Sequence, residues 1–226
     1  MNVQIHDLAL RMADLARLIA LRKVDDVLAD VTAAAKELIP GVDLAGVLLV
    51  GTGGTHQTLA PTSDLMFQLD ELQMATGEGP CLQAALDEIV IRVDDFDDEP
   101  RFPNYAPKVA ELGLRSALSL KLYTADRTAG ALNLFAYEPN LWNTEAETIG
   151  MVLAAHAAAA ILASRESEQL QSALSSRDRI GQAKGIIMER FKIDDVRAFA
   201  MLRQLSQETN TKLVDVAQRV INTPGQ

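Results

Sequence analysis

From Thr144 through Phe191 the residues keep a helical pattern, and that run constrains the fold more than any other feature of the chain. Ile149, Leu153, His156, Ala160, Ala163, Ser167, Leu170 and Leu174 follow one another at spacings of four and three. Such a repeat, kept over nearly four heptads, aligns the side chains along one seam. The seam is rich in small residues, so two helices can approach closely along it. It predicts a parallel homodimer through Ile149, Leu153, Ala160, Ala163, Leu170 and Leu174. In the alternative reading, the first half of the seam packs on a sheet of the same chain.

What precedes the run has another character. An apolar stripe at Ile5, Leu8, Met12, Leu15 and Ile19, then one at Val24, Val27, Leu28, Val31 and Leu38, predicts helix over 3–38. "PG" at 40–41 stops it. "LAGVLLV" (44–50), the turn signal "GTGG" (51–54) and "THQTLAPT" (55–62) read as a hairpin. "EIVIRVDD" (88–95) is a short strand. "LRSALSLKLY" (114–123) and "RTAGALNLFAYE" (127–138) flank a turn at Ala125–Asp126 and form a second hairpin. Short helices are expected at 64–75, 80–87 and 103–112. The class is α+β: an antiparallel sheet of about five or six strands with flanking helices, because hairpins join most of the strands.

After the seam come three helical segments. "KIDD" breaks the first, and Asp194 is a suitable N-cap for 195–208. "TNT" (209–211) makes the second break, with Asn210 or Thr211 expected to cap a last helix to about Ile221. Their apolar stripes are Ile180, Ala183, Ile187 and Phe191; Ala198, Phe199, Leu202 and Leu205; and Leu213, Val216, Ala217 and Val220. Off the stripes lie Gly181 and Gly185, with Lys184 between them. A mid-helix glycine costs roughly 1 kcal/mol relative to Ala, so two of them suggest that another backbone comes close there.

Charge separates the same regions. Residues 165–226 hold 10 Lys/Arg and 8 Asp/Glu, a net of +2, whereas residues 1–164 hold 11 and 23, a net of −12. A polyanion is repelled by the first part and tolerated by the second. One cysteine, Cys81, forbids an intramolecular disulfide and suits a reducing cytoplasm. The N-terminus does not read as a signal peptide, and the longest apolar stretch, 150–163, is too short to span a bilayer, so no membrane association is expected. The three histidines are scattered, which argues against a metal site, and the acidic run Asp94, Asp95, Asp97, Asp98 and Glu99 reads as a solvated loop.

"SRDRIGQAKGIIMERFKIDDVRAFAMLRQLSQETNTKLVDVAQRVI" (176–221) resembles the ANTAR domain, the three-helix RNA-binding module of bacterial transcription antiterminators. "GEGPCLQAAL" (77–86), "IRVDDF" (91–96), "DEPRFPNYAPKVAELGLRSALSLKL" (98–122) and "GALNLFA" (130–136) make residues 24–163 similar to a GAF domain. The resemblance implies a GAF sensory domain over 1–163, a coiled-coil helical linker over 164–176 and an all-α RNA-binding domain over 177–226. It implies a cytoplasmic dimer that binds paired RNA hairpins in nascent transcripts and so prevents a terminator from forming. RNA loops are where base edges are open to side chains. By matching motif positions the RNA-binding role falls to Lys184, Arg190, Arg203, Asn210, Thr211 and Lys212, and close approach to Gly181, Ala183 and Gly185. With Phe191 and Phe199 on core stripes, no aromatic platform is expected.

For the sensory part the sequence indicates no cofactor and no ligand code; the signal is an unidentified small molecule or protein. Cys81 is a candidate redox residue or a buried structural one. A DNA-binding factor is the rival reading, since "TNTKLVDVAQRVI" resembles half of a helix-turn-helix. No enzyme is expected: some GAF domains reduce methionine sulfoxide, but a single cysteine leaves no internal resolving thiol.

Overall fold

The computed structural model describes residues 23–51, 55–86, 88–122 and 129–223. The stripe from Ile5 to Ile19, the turns expected at 52–54 and 125–126 and the last three residues lie outside the described residues. The chain divides between Ser164 and Arg165 into two compact units.

In the first unit, five strands form one antiparallel sheet: β1 (Leu44–Val50), β2 (His56–Leu59), β3 (Val90–Val93), β4 (Ser116–Leu122) and β5 (Ala129–Ala136). Their order is β2-β1-β5-β4-β3. The two expected hairpins are present, with Val47 opposite Leu59 and Leu120 opposite Leu132. Side chains alternate between faces along each strand. Val47, Leu49, Leu118, Leu120, Leu132 and Leu134 therefore point one way, and Leu44, Leu48, Ala117, Ala131 and Phe135 the other.

Both faces are covered, which is why "LAGVLLV" reads as a nearly continuous apolar run. On the first face lie α1 (Val24–Leu38), through Leu28, Val31 and Ala35, and the start of α5 (Thr144–Phe191), through Ile149, Leu153, Ala157 and Ile161. Gly150 lets α5 lie close, since a Cβ there would stand 3.0 Å from the Leu120 side chain. On the second face lie α2 (Leu65–Thr76), α3 (Pro80–Leu86) and α4 (Ala106–Glu111), anchored by Met66, Leu69, Ala84 and Val109. The heptad seam is thus divided. Ile149 and Leu153 are taken by the chain's own sheet and Ala160 is buried too, while Ala163, Leu170 and Leu174 are exposed. The sheet already removes the first half of the seam from water, so that half is not a free dimer surface.

By composition, an 18-residue window of α5 is apolar enough to cross a bilayer, although the uninterrupted apolar stretch in the sequence is too short to suggest it. Half of that window is buried inside the protein, as in the core helix of a globular fold.

The second unit consists of the end of α5, α6 (Asp195–Glu208) and α7 (Leu213–Asn222). Asp194 caps α6 as expected, its Oδ1 accepting the Arg197 N–H at 2.8 Å. The cap of α7 differs from expectation: Lys212 holds that position, and no side chain caps the helix. Asn210 takes a left-handed conformation at φ +47°, which its short polar side chain tolerates. The core is small: Ala183, Ile187, Ala198, Leu202, Val216 and Ala217.

Phe191, Phe199 and Leu205 are expected on core stripes and are exposed instead, the two phenylalanines by 59% and 41%. Ala198 and Leu202 alone carry the buried contact of α6 with its neighbours, so Phe199, one step of about 100° around the helix, falls outside it. Phe191 ends α5 just before Lys192 turns the chain at φ +53°, and no helix covers it.

Candidate nucleic-acid interface and sensory core

The expected RNA-binding residues all lie in the second unit, but the structure treats them differently. Lys184 forms an ion pair with Asp195 at the start of α6. The pair is partly exposed, so a phosphate can compete for the ammonium at small cost. Arg190 donates from Nη2 to the Thr223 carbonyl at 2.6 Å, tying the end of α5 to the end of α7. Among the described residues, Arg203 and Lys212 are exposed and have no ion-pair partner.

Asn210 and Thr211 form the turn between α6 and α7. Ser206 Oγ donates to the Thr211 carbonyl at 2.7 Å, and Thr211 Oγ1 donates to the Thr209 carbonyl at 3.2 Å. The turn delivers Lys212 to the uncapped start of α7, where free N–H groups and the helix dipole favour an anion.

The three close-approach residues separate into two kinds. Ala183 is fully buried in the three-helix core, so its smallness serves helix packing and not an outside partner. A Cβ at Gly181 or Gly185 would meet nothing within 4 Å. Packing within the chain therefore does not require either glycine. Gly185→Ala is expected to stabilise the second unit by about 0.8–1 kcal/mol through helix propensity. A lower melting temperature in thermal unfolding would show that the methyl meets something after all.

The interior of the first unit holds a polar cluster that no motif in the sequence announces. Strand alternation puts Asn133 of β5 and Ser119 of β4 opposite one another on the α2–α3 face, with Ser119 Oγ donating to Asn133 Oδ1 at 2.8 Å. Asp70 and Gln73 of α2 lie on the same side. Thr58 Oγ1 donates to Asp70 Oδ2 at 2.7 Å, and Gln73 Oε1 accepts the Cys81 N–H at 2.9 Å. Among the described residues five buried side-chain atoms have no hydrogen-bond partner, and four of them belong here: Asp70 Oδ1, Gln73 Nε2, Asn133 Nδ2 and Tyr105 OH; the fifth is Trp142 Nε1. Burial pushes the Asp70 carboxyl up to about 7, against the opposing pull of Thr58 and Gln73.

Cys81 belongs to this interior. Burial, and then the nearby Asp70, push its thiol well above the ordinary value, with Asn133 opposing. A redox role needs an accessible thiolate. The buried, protonated Cys81 lacks both properties and reads as structural.

Four of the five acidic residues of the run pair with arginines, two of which flank it in sequence, while Asp98 is exposed. Arg115 Nη2 reaches Asp95 at 2.6 Å and Asp97 at 3.0 Å, Arg92 holds Asp94 at 2.9 Å, and Arg101 pairs with Glu99. The Arg115 guanidinium keeps the Asp95 carboxyl below the usual carboxylate range. No cluster of metal-ligating residues occurs among the described residues.

Comparison with known proteins divides the chain at the same place. The GAF domain profile matches residues 22–162, and the ANTAR domain profile matches residues 168–221. No curated protein sequence matches the chain. Among solved structures, the GAF domain of a phosphoenolpyruvate-protein phosphotransferase from Coxiella burnetii is similar, with a TM-score of 0.59 at 19% identity, over 72% of this chain and 96% of that one. So is a free methionine-R-sulfoxide reductase from Neisseria meningitidis, with a TM-score of 0.51 at 19% identity, over 71% of this chain and 93% of that one. At such identities the likeness establishes the fold of the first unit and nothing of its chemistry.

Proposed function

Because the chain belongs to the GAF domain family and carries an ANTAR domain in tandem, we propose that it is a cytoplasmic transcription antitermination regulator whose C-terminal unit binds paired hairpins in nascent RNA under the control of its sensory unit. The observation that carries this reading is the ANTAR match over 168–221, which spans all three helices of the basic unit. The proposed domains are a sensory domain over 1–163, a linker over 164–176 and an RNA-binding domain over 177–226. The protein regulates and does not catalyse. The reductase chemistry of one structural relative needs reactive thiols, and the lone Cys81 is buried.

Arg203 and Lys212 contact phosphate directly, Lys184 does so on release from Asp195, and Arg190 stays near the RNA while holding Thr223. A DNA-binding reading is less well supported, since α7 carries only Arg219, with Lys212 at its cap, for major-groove work. The test is a comparison of hairpin RNA with duplex DNA of equal charge. Hairpin RNA is expected to bind tighter. Its log–log salt slope is expected between about −1.4 and −2.8, or about −0.7 for each of two to four phosphates neutralised. A slope near zero, or preference for the duplex DNA, overturns the reading.

A further inference from the structure

Beside the paired glycines, the end of α5 and the start of α6 enclose an open groove of ≈ 700 Å³. Phe199, 41% exposed, lines it, and so does Gly181, where a Cβ would meet nothing within 4 Å. Arg177, Asp178 and Gln182 stand around it. This combination of one flat aromatic ring, a residue with no side chain and a guanidinium, carboxylate and amide differs from an ordinary apolar docking surface. A second groove on the same unit, lined by Phe191, Met201, Leu205 and Val220, has that more uniformly apolar character.

We propose that the Phe199 groove is a nucleobase pocket, in which one unpaired base of an RNA hairpin loop stacks on the Phe199 ring above Gly181. The proposal rests on the RNA-binding reading above and adds to it a stacking residue and the place of the base. A base is flat and has a π-face whatever its identity, so an exposed ring suits it. Its edges carry donors and acceptors, which Asp178 and Gln182 can satisfy: the carboxylate accepts, and the amide both donates and accepts. The backbone phosphates that accompany the base meet Arg177 at the rim and Lys184 at the side. Charge is complementary as well, because this unit carries a net +2 in a chain of net −10.

The rival occupant is a second copy of the chain, since Arg177 and Gly181 continue the spacing of Leu170 and Leu174. In a parallel dimer that register would set two Arg177 guanidinium groups against each other. Like charges at facing positions end the close seam at Leu174, so the groove beyond it is left to the RNA.

The experiment uses the full chain and the tightest-binding hairpin drawn from a library with randomised loops. Each loop base is replaced in turn by 2-aminopurine, whose fluorescence is quenched by stacking. With the wild-type protein, one loop position is expected to quench on binding. Phe199→Leu is expected to abolish that quench and weaken binding by roughly 5- to 150-fold, the range for loss of one stacked base. Phe199→Tyr is expected to keep both, and thermal unfolding checks that the variants fold. Wild-type affinity and quench in Phe199→Leu, or a change in oligomeric state in place of RNA affinity, overturns the pocket and leaves the RNA-binding reading standing. Failure of the wild-type protein to bind any hairpin overturns both.

Discussion

Asp70→Asn is expected to raise the stability of the sensory unit by about 4 kcal/mol at pH 8 and to change it little at pH 4. The wild-type carboxyl ordinarily titrates near 3.8, and burial raises it to about 7 in the fold. The folded state therefore holds a proton that the unfolded chain gives up, and stability falls as pH rises between those two values. Each tenfold change in proton affinity corresponds to about 1.36 kcal/mol, so the rise from 3.8 to about 7 amounts to roughly 4 kcal/mol as an upper figure. Asn is neutral at every pH and can still accept from Thr58, so it removes the penalty and keeps the bond. The lowered carboxyls of Asp95 and Glu78 act with the opposite sign at acid pH, but both proteins carry them, so they cancel in the difference. Urea unfolding of both proteins at several pH values reads the difference. Parallel stability curves for the two would mean that Asp70 stays exposed to water and is not the buried acid described.

Asp70 does not stand alone in its interior. Its second oxygen, and the free amide and hydroxyl atoms of Gln73, Asn133 and Tyr105, are held inside a well-packed core. An unsatisfied buried polar atom costs about 1–3 kcal/mol. Their cost falls on the stability of the unit, and Asp70 is the one among them whose cost varies with pH.

The sheet of this domain is legible in the sequence because local rules and tertiary structure agree there. Turn signals and period-two runs place β1 with β2 and β4 with β5, and a buried sheet leaves no freedom to slip the register. Asp70 is not legible. It follows Leu69 in an amphipathic-looking helix, and only its turn toward Thr58 on a neighbouring strand makes it a buried residue. The same is true of Arg92, Arg101 and Arg115, whose ion pairs hold part of an acidic loop that stays solvated, as expected, at Asp97 and Asp98. In the RNA-binding unit the pattern promises more burial than the fold delivers. Phe191 and Phe199 continue helical stripes by spacing, but the buried core of this unit is small and, with Ala183, Ala198 and Ala217 in it, does not extend to the full width of the stripes. The volume of these small residues, and not only their period, is the signal that points to exposed aromatics.

Leu170→Glu with Leu174→Glu is expected to abolish the parallel homodimer that the heptad seam predicts and to lower affinity for a two-hairpin RNA by about 10²- to 10⁴-fold, with affinity for one hairpin little changed. Leu170 and Leu174 are 62% and 51% exposed in the single chain. They stand four apart on α5 beyond the part that the sheet covers, so nothing in the described chain accounts for two leucines there. With Ala163 they are what remains of the seam as a free surface, a stretch of under two heptads. Burying each leucine against its counterpart contributes about 1.5–3 kcal/mol. Replacing them sets four carboxylates in a seam that had none, where like charges oppose association. A dimer holds two RNA-binding units together, so the second hairpin binds as an intramolecular event, and that advantage is the 10²- to 10⁴-fold at stake, roughly, for linked sites. Light scattering reads the dissociation, and fluorescence anisotropy with one- and two-hairpin RNAs reads the loss. The unfolding transition should hold, because neither leucine is buried in the single chain. A dimer that survives both substitutions would move the interface elsewhere, and the apolar groove of Phe191, Met201 and Leu205 would be the next surface to change.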